Sequence, residues 1–208
     1  MSRFVGRENL RKRLSPLEGG PGRTAYQDGV AHIETERGTY VVRPTFGLLH
    51  EGEYDTVRLS PLFDALEENY LVAAMLVRLG GYAVGVFEGE RLVASKVGSR
   101  FVKGRHKKGG SSANRFRRRR EEQARALTQK AAAAAADTLR PWRDRIEFVA
   151  LGGDRRAVAE TLASSADLDW LSERSVSRFF TVPEPRLRVL QQLPYDLYAA
   201  ELSTSAAE

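Results

Sequence analysis

Residues 70–97 read YLVAAMLVRLGGYAVGVFEGERLVASKV, and this stretch decides the fold. It holds three strand-like apolar runs, Tyr70–Leu79, Tyr82–Phe87 and Arg91–Val97. Gly80-Gly81 and Glu88-Gly89-Glu90 separate them. Apolar runs joined by short glycine turns describe an antiparallel meander. Downstream, a loop over 98–112 leads into a long helix over 113–139. Its Ala131–Ala136 run strongly favours helix, and Pro141 closes it. At 1.5 Å per residue such a helix is about 40 Å long.

Further on, Ile146–Leu151 reads as a short strand, and Gly152-Gly153-Asp154 turns it into a helix near Arg155–Ser164. Asp154 is placed to cap that helix. Val176–Val182 reads as a strand and Arg186–Leu202 as a final helix. Upstream, Ser60 (N-cap) and Pro61 (first helical position) start a helix that runs to about Glu68. Val30–Ile33 and Thr39–Val42 alternate around a Glu36-Arg37-Gly38 turn, and residues 3–17 suit a short amphipathic helix. The order predicts an α/β (α+β) fold: a mixed sheet with an antiparallel meander and covering helices, RNase H-like in arrangement. Residues 1–59 are expected to pack, as helix and hairpin, on a main domain over 60–208.

Composition narrows the chemistry. The 208 residues include no cysteine, which removes disulfides, thiolate catalysis and cysteine zinc sites. His32, His50 and His106 are too scattered for metal-ligand spacing. No apolar run reaches the roughly 18–20 residues of a membrane helix. The charged start, MSRFVGRENLRKRL, lacks the apolar centre of a secretory leader. A cytoplasmic protein without metal, cofactor or membrane partner is expected. The sequence says nothing of oligomeric state.

Net charge is +6, and its distribution says more than its sum. Between Glu90 and Glu121 lie 30 residues with no carboxylate and twelve Lys or Arg, so the rest of the chain carries 6 − 12 = −6. A mildly acidic body thus bears one concentrated basic element. Within it, Arg105, His106, Lys107 and Lys108 precede Gly109-Gly110, whose missing Cβ atoms let a loop tip approach a ligand closely. Ser111 or Ser112 can cap the helix that follows. Arg115, Arg117, Arg118, Arg119 and Arg120 then crowd its first turns, the end where cations oppose the helix dipole. Four consecutive arginines also step around the axis by about 100° each, so they surround the helix rather than line one face. Pairing of Arg117 with Glu121 and Arg118 with Glu122 would partly neutralise them. Without it, the arrangement suits an element inserted among phosphates.

Lys107-Lys108-Gly109-Gly110-Ser111-Ser112-Ala113-Asn114-Arg115-Phe116 resembles the GGQ loop of eukaryotic-type class I release factors. That pattern runs G-G-Q-S-A-x-R-F before an Arg-rich helix. The nearest branch is the actinobacterial Vms-like release factors, a group of peptidyl-tRNA hydrolases. The resemblance implies a release-factor catalytic domain acting on the large ribosomal subunit, its rRNA and peptidyl-tRNA, with water as nucleophile and no cofactor. Gly109, Gly110, Ser111 and Ser112 would form the catalytic tip. Arg105, His106, Lys107, Lys108, Arg115 and Arg117 to Arg120 would hold RNA. Ser111 stands where the family has glutamine. Its backbone N–H remains, and Gln123 on the helix is a candidate source of an amide.

Two other readings stay open: a non-catalytic RNA- or ribosome-binding module, and an RNase that trims the tRNA 3′ end. A metal nuclease would need clustered carboxylates, and the central strands carry only Glu147. Trp142, Trp170, Phe179 and Phe180 are expected in the core.

Overall fold

The apolar runs that open the sequence reading form the centre of a mixed sheet. In the computed structural model, which describes residues 2–99 and 111–206 and the side chains of these except 111–114 and 116, the chain divides into two units. One comprises Tyr70–Leu193, the other Met1–Asn69 with Pro194–Glu208.

In the 70–193 unit, β6 (Leu71–Arg78), β7 (Gly81–Glu88) and β8 (Arg91–Ser99) make the expected antiparallel meander. After α3 (Ser111–Leu139), β9 (Phe148–Gly153) returns parallel to β6, which gives the order β8-β7-β6-β9. Seven consecutive residues are buried in each of β6 and β7, as expected for strands covered on both faces. One face, Ala73, Met75 and Val77 with Val84 and Val86, packs on Leu127, Ala131, Ala135 and Leu139 of α3 and on Ala157 and Val158 of α4 (Arg155–Leu162). On the other face, a Cβ on Gly85 would lie 2.8 Å from Leu190, so the glycine lets α6 (Leu187–Leu197) approach. Trp170, in the short α5 (Asp169–Glu173), and Phe180 are buried, with Trp142 and Phe179 packed against that core.

Expected strand Val176–Val182 is instead an irregular strap. Val176 N–H donates to Val149 O at 2.9 Å and Phe180 N–H to Leu151 O at 2.9 Å. Four strap residues thus span two of β9, so the strap touches the edge at two points without forming a ladder.

The other unit is a six-stranded antiparallel sheet ordered β1-β10-β4-β3-β2-β5. Its strands are β1 (Ser2–Gly6), β2 (Pro21–Gln27), β3 (Val30–Thr35), β4 (Gly38–Pro44), β5 (Gly52–Thr56) and β10 (Ala199–Ala206). Leu10 and Leu14 of α1 (Arg7–Leu14) and Leu62 and Leu66 of α2 (Ser60–Glu67) close its core over Tyr26, Ile33, Val42 and Leu202.

This unit corrects several expectations. Only the 7–14 part of the expected 3–17 helix is α-helical, because Ser2–Gly6 pairs with β10. The expected helix over 186–202 ends at Leu197, and its last residues belong to β10, held between β1 and β4. Ser60 is already helical and Leu59 takes the cap position without a side-chain hydrogen bond. The division falls at Asn69/Tyr70 rather than 59/60, because α2 belongs to the same core as the N-terminal strands and the C-terminal strand returns to it.

Candidate functional site

Gly81 pairs with Ser99 at the end of β8, the last described residue before the basic loop. Next to it, a Cβ on Gly98 would fall 2.4 Å from the Tyr82 ring, so a larger side chain where the chain leaves the sheet would force that ring to shift. Arg105, His106, Lys107, Lys108, Gly109 and Gly110 lie outside the described residues. The chain is described again at Ser111 and Ser112, which are the first residues of α3 rather than residues ahead of it. The first N–H groups of an α-helix have no intrahelical acceptor.

From Arg115 to Ala126 no described side chain of α3 is buried, and Leu127 is the first to enter the core. Helix geometry makes this unsupported stretch about 18 Å long. On it Arg115, Arg117, Arg118 and Arg119 are exposed and Arg120 half-exposed. Among the described residues none of the five forms an ion pair, and the expected Arg117–Glu121 and Arg118–Glu122 pairs are not made. Among the described residues nothing compensates this positive charge. Gln123, half-buried, lies 12 residues after Ser111, about 18 Å along the axis and a third of a turn around it. The helix does not bring Gln123 to its own first turn.

Other sequence candidates have structural roles. Glu147 accepts the Leu71 N–H at 2.8 Å, and Glu147 N–H donates to Leu71 O at 2.9 Å, which clamps β9 to β6 at its start. Asp154 caps α4, its Oδ1 accepting from Ala157 N–H at 2.9 Å. The preceding glycines answer to packing: a Cβ on Gly152 would lie 2.5 Å from Phe180 O, and one on Gly153, at φ +106°, 2.2 Å from Val77 O. His50 bonds Tyr54 through Nε2 at 2.8 Å. Among the described residues no His, Asp and Glu group is placed to hold a metal, and no helix is long and apolar enough to cross a membrane.

The sequence reading missed what lies beside the arginines. α4 packs along α3 and brings Arg156 and Glu160 to a groove of about 610 Å³, which Glu121 and Arg125 line from α3. Arg156 Nε donates to Glu160 Oε1 at 2.7 Å, and its pKa is raised first by that bond, with Asp154 and Glu121 adding to the same field. Only a known packing of α3 on α4 would have revealed this.

The family model for the Actinobacteria/chloroflexi VLRF1 release factor matches residues 70–203, more than half of the chain. No curated protein matches. Among solved structures, an archaeal translation termination factor, aRF1, is 16% identical with a TM-score of 0.46, over 81% of this chain and 49% of that one. The Vms1 mitochondrial localization core is 12% identical with a TM-score of 0.46, over 93% and 80%. Dom34 of S. cerevisiae, a translation termination-like factor, is 8% identical with a TM-score of 0.36, over 92% and 63%. The chain spans about half the length of the archaeal factor. Likenesses this distant add nothing to the fold described above.

Proposed function

The chain belongs to the Actinobacteria/chloroflexi VLRF1 release-factor family, and from that premise we propose that it is a ribosome-associated peptidyl-tRNA hydrolase that frees nascent chains from stalled ribosomes. The observation that carries this reading is the exposed arginine cluster at the start of the described part of α3, which follows Gly109-Gly110 in the sequence. Five cations without ion-pair partners among the described residues, at the helix end that disfavours them, call for phosphates from outside. rRNA of the large subunit and peptidyl-tRNA supply them. Arg105, His106, Lys107 and Lys108 extend the same contact from the loop, and the compartment is the cytoplasm.

Hydrolysis needs a positioned water and donors aimed at the charge that develops on the carbonyl and on the leaving ribose 3′-oxygen. On this reading Ser111 and Ser112, the first described residues of α3, present backbone N–H groups at the positive end of the dipole. Gly109 and Gly110 let that end approach the ester. The Ser111 hydroxyl takes the place of the family's glutamine amide in holding water. Gln123, remote along the helix, is then no substitute.

Release of labelled peptide from stalled ribosome–nascent-chain complexes tests this, with wild type set against a Gly109→Ala/Gly110→Ala double variant. Release by wild type alone, leaving the tRNA with an intact 3′ end, is expected. A shortened tRNA would indicate an RNase instead. The serine at position 111 favours a second reading, a non-catalytic ribosome-binding module. Salt-sensitive ribosome binding without release by either protein would establish that one.

A further inference from the structure

The groove between α3 and α4 has a floor of small side chains, Ala124 from one helix and Ala163 just beyond the other. Its walls alternate in charge: Glu121 and Arg125 on α3, Arg156 and Glu160 on α4. Arg117, Glu121, Ala124 and Thr128 follow one another at helical spacing on one face of α3, so the arginine-bearing turns lead directly into the groove. Arg125 and Glu121 have no ion-pair partner among the described residues, and Arg156 is 87% exposed despite its bond to Glu160.

This lining selects among ligands. A groove of about 610 Å³ holds a short piece of a single strand and not a duplex. No aromatic ring lines it, so bases have nothing to stack on and contacts fall on the backbone. A DNA backbone offers only acceptors and would meet repulsion from Glu121 and Glu160. An RNA backbone offers both phosphate acceptors and 2′-hydroxyl donors, which matches walls that carry both guanidinium and carboxylate groups.

We propose that the α3–α4 groove seats single-stranded RNA, with Arg125 and Arg156 on phosphates and Glu121 and Glu160 accepting from ribose 2′-hydroxyls. The choice of RNA rests on the function proposed above, and the groove extends that contact from the helix tip along its flank. Recognition here depends on the sugar and not on base sequence.

The test compares binding of a short labelled oligouridine and its 2′-deoxy counterpart by fluorescence anisotropy. Wild type is expected to prefer RNA by about three- to tenfold, the worth of one or two hydroxyl bonds. An Ala124→Trp/Ala163→Trp variant fills the groove from positions that are half-buried and exposed. Its RNA affinity is expected to fall to the level of DNA, with DNA binding unchanged. Glu121→Ala, which leaves the fold untouched, should tighten DNA binding about two- to threefold and so narrow the preference. Equal affinities in wild type, or a preference that survives both variants, would overturn the proposal. Loss of ribosome binding in the filled variant with its RNA preference intact would mean that a protein occupies the groove, and would overturn it as well. Failure of peptide release is a separate result, which sinks the hydrolase reading without touching the RNA–DNA comparison.

Discussion

The two halves of α3 share one backbone and obey opposite rules. From Leu127 to Leu139 the helix is held by the sheet. Ala131, Ala134 and Ala135 bring it close, and Leu127 and Leu139 fill the ends of the contact. From Arg115 to Ala126 nothing described is buried, and five arginines have no ion-pair partner among the described residues. Propensity keeps both halves helical, yet only one is fixed by the protein's own core. The other half is built for contact with something outside the molecule.

The sharpest way to break this comparison is to remove the charge. Replacing Arg117, Arg118, Arg119 and Arg120 by alanine should weaken ribosome binding by on the order of a thousandfold at low salt, and flatten the log–log salt dependence by about 3. Thermal stability should hold or rise slightly, since each removed cation opposed the dipole by about 0.3–1 kcal/mol. Binding across a salt series and a melting curve check both. A destabilised variant with unaltered binding would show the arginines to be structural.

The opposite experiment strikes the held half. Leu127→Ala should cost about 2–5 kcal/mol of unfolding free energy by denaturant titration. Leucine at the exposed Ala133, less than two turns further along, should cost almost nothing. At the loop's other anchor, Gly98→Ala drives a methyl to 2.4 Å from Tyr82 and should cost about 1–3 kcal/mol. A Tyr82→Leu replacement should recover part of that loss, a coupling that a double-mutant cycle measures.

How much of this was legible in the sequence follows the range of the interactions. β6, β7 and β8 are local: two continuous apolar runs and a more polar third strand, joined by two-residue turns. α3 announced itself through its alanines, and Asp154 through its cap position. β1 and β10 were hidden because their partners are remote in sequence: β1 pairs with β10, Ser2 opposite Ser203, and β10 pairs on its other side with β4. By propensity Ala199-Ala200-Glu201-Leu202 continues a helix, and tertiary pairing overrides it. β5 was missed for a related reason, since it pairs with β2 from a distance, Tyr26 facing Gly52, whereas β2 pairs locally with β3 and was masked by the Gly19-Gly20-Pro21-Gly22 breakers at its start. At the site, the glycine pair and the arginines were plain. That Glu121 and Glu122 would leave those arginines unpaired was not, nor that α4 would form a groove with α3. Both are matters of side-chain direction, which spacing alone does not settle.

The smallest effect expected here sharpens the comparison at the helix that flanks the two halves. Asp154 caps α4 through Ala157 N–H, so Asp154→Ala should lower stability by about 1 kcal/mol, seen as a small drop in Tm. The same carboxylate repels anions from the start of α4, which gives the substitution a second use. Were the Gly152-Gly153-Asp154 turn a phosphate site, removing the charge would free the first N–H groups of α4 and tighten RNA binding. With Gly152 and Gly153 both dictated by contacts to Phe180 and Val77, the turn is a packing device, and RNA affinity should not rise. A rise in affinity alongside the stability loss would add the first N–H groups of α4 to the RNA-facing surface that Arg156 and Glu160 form on it.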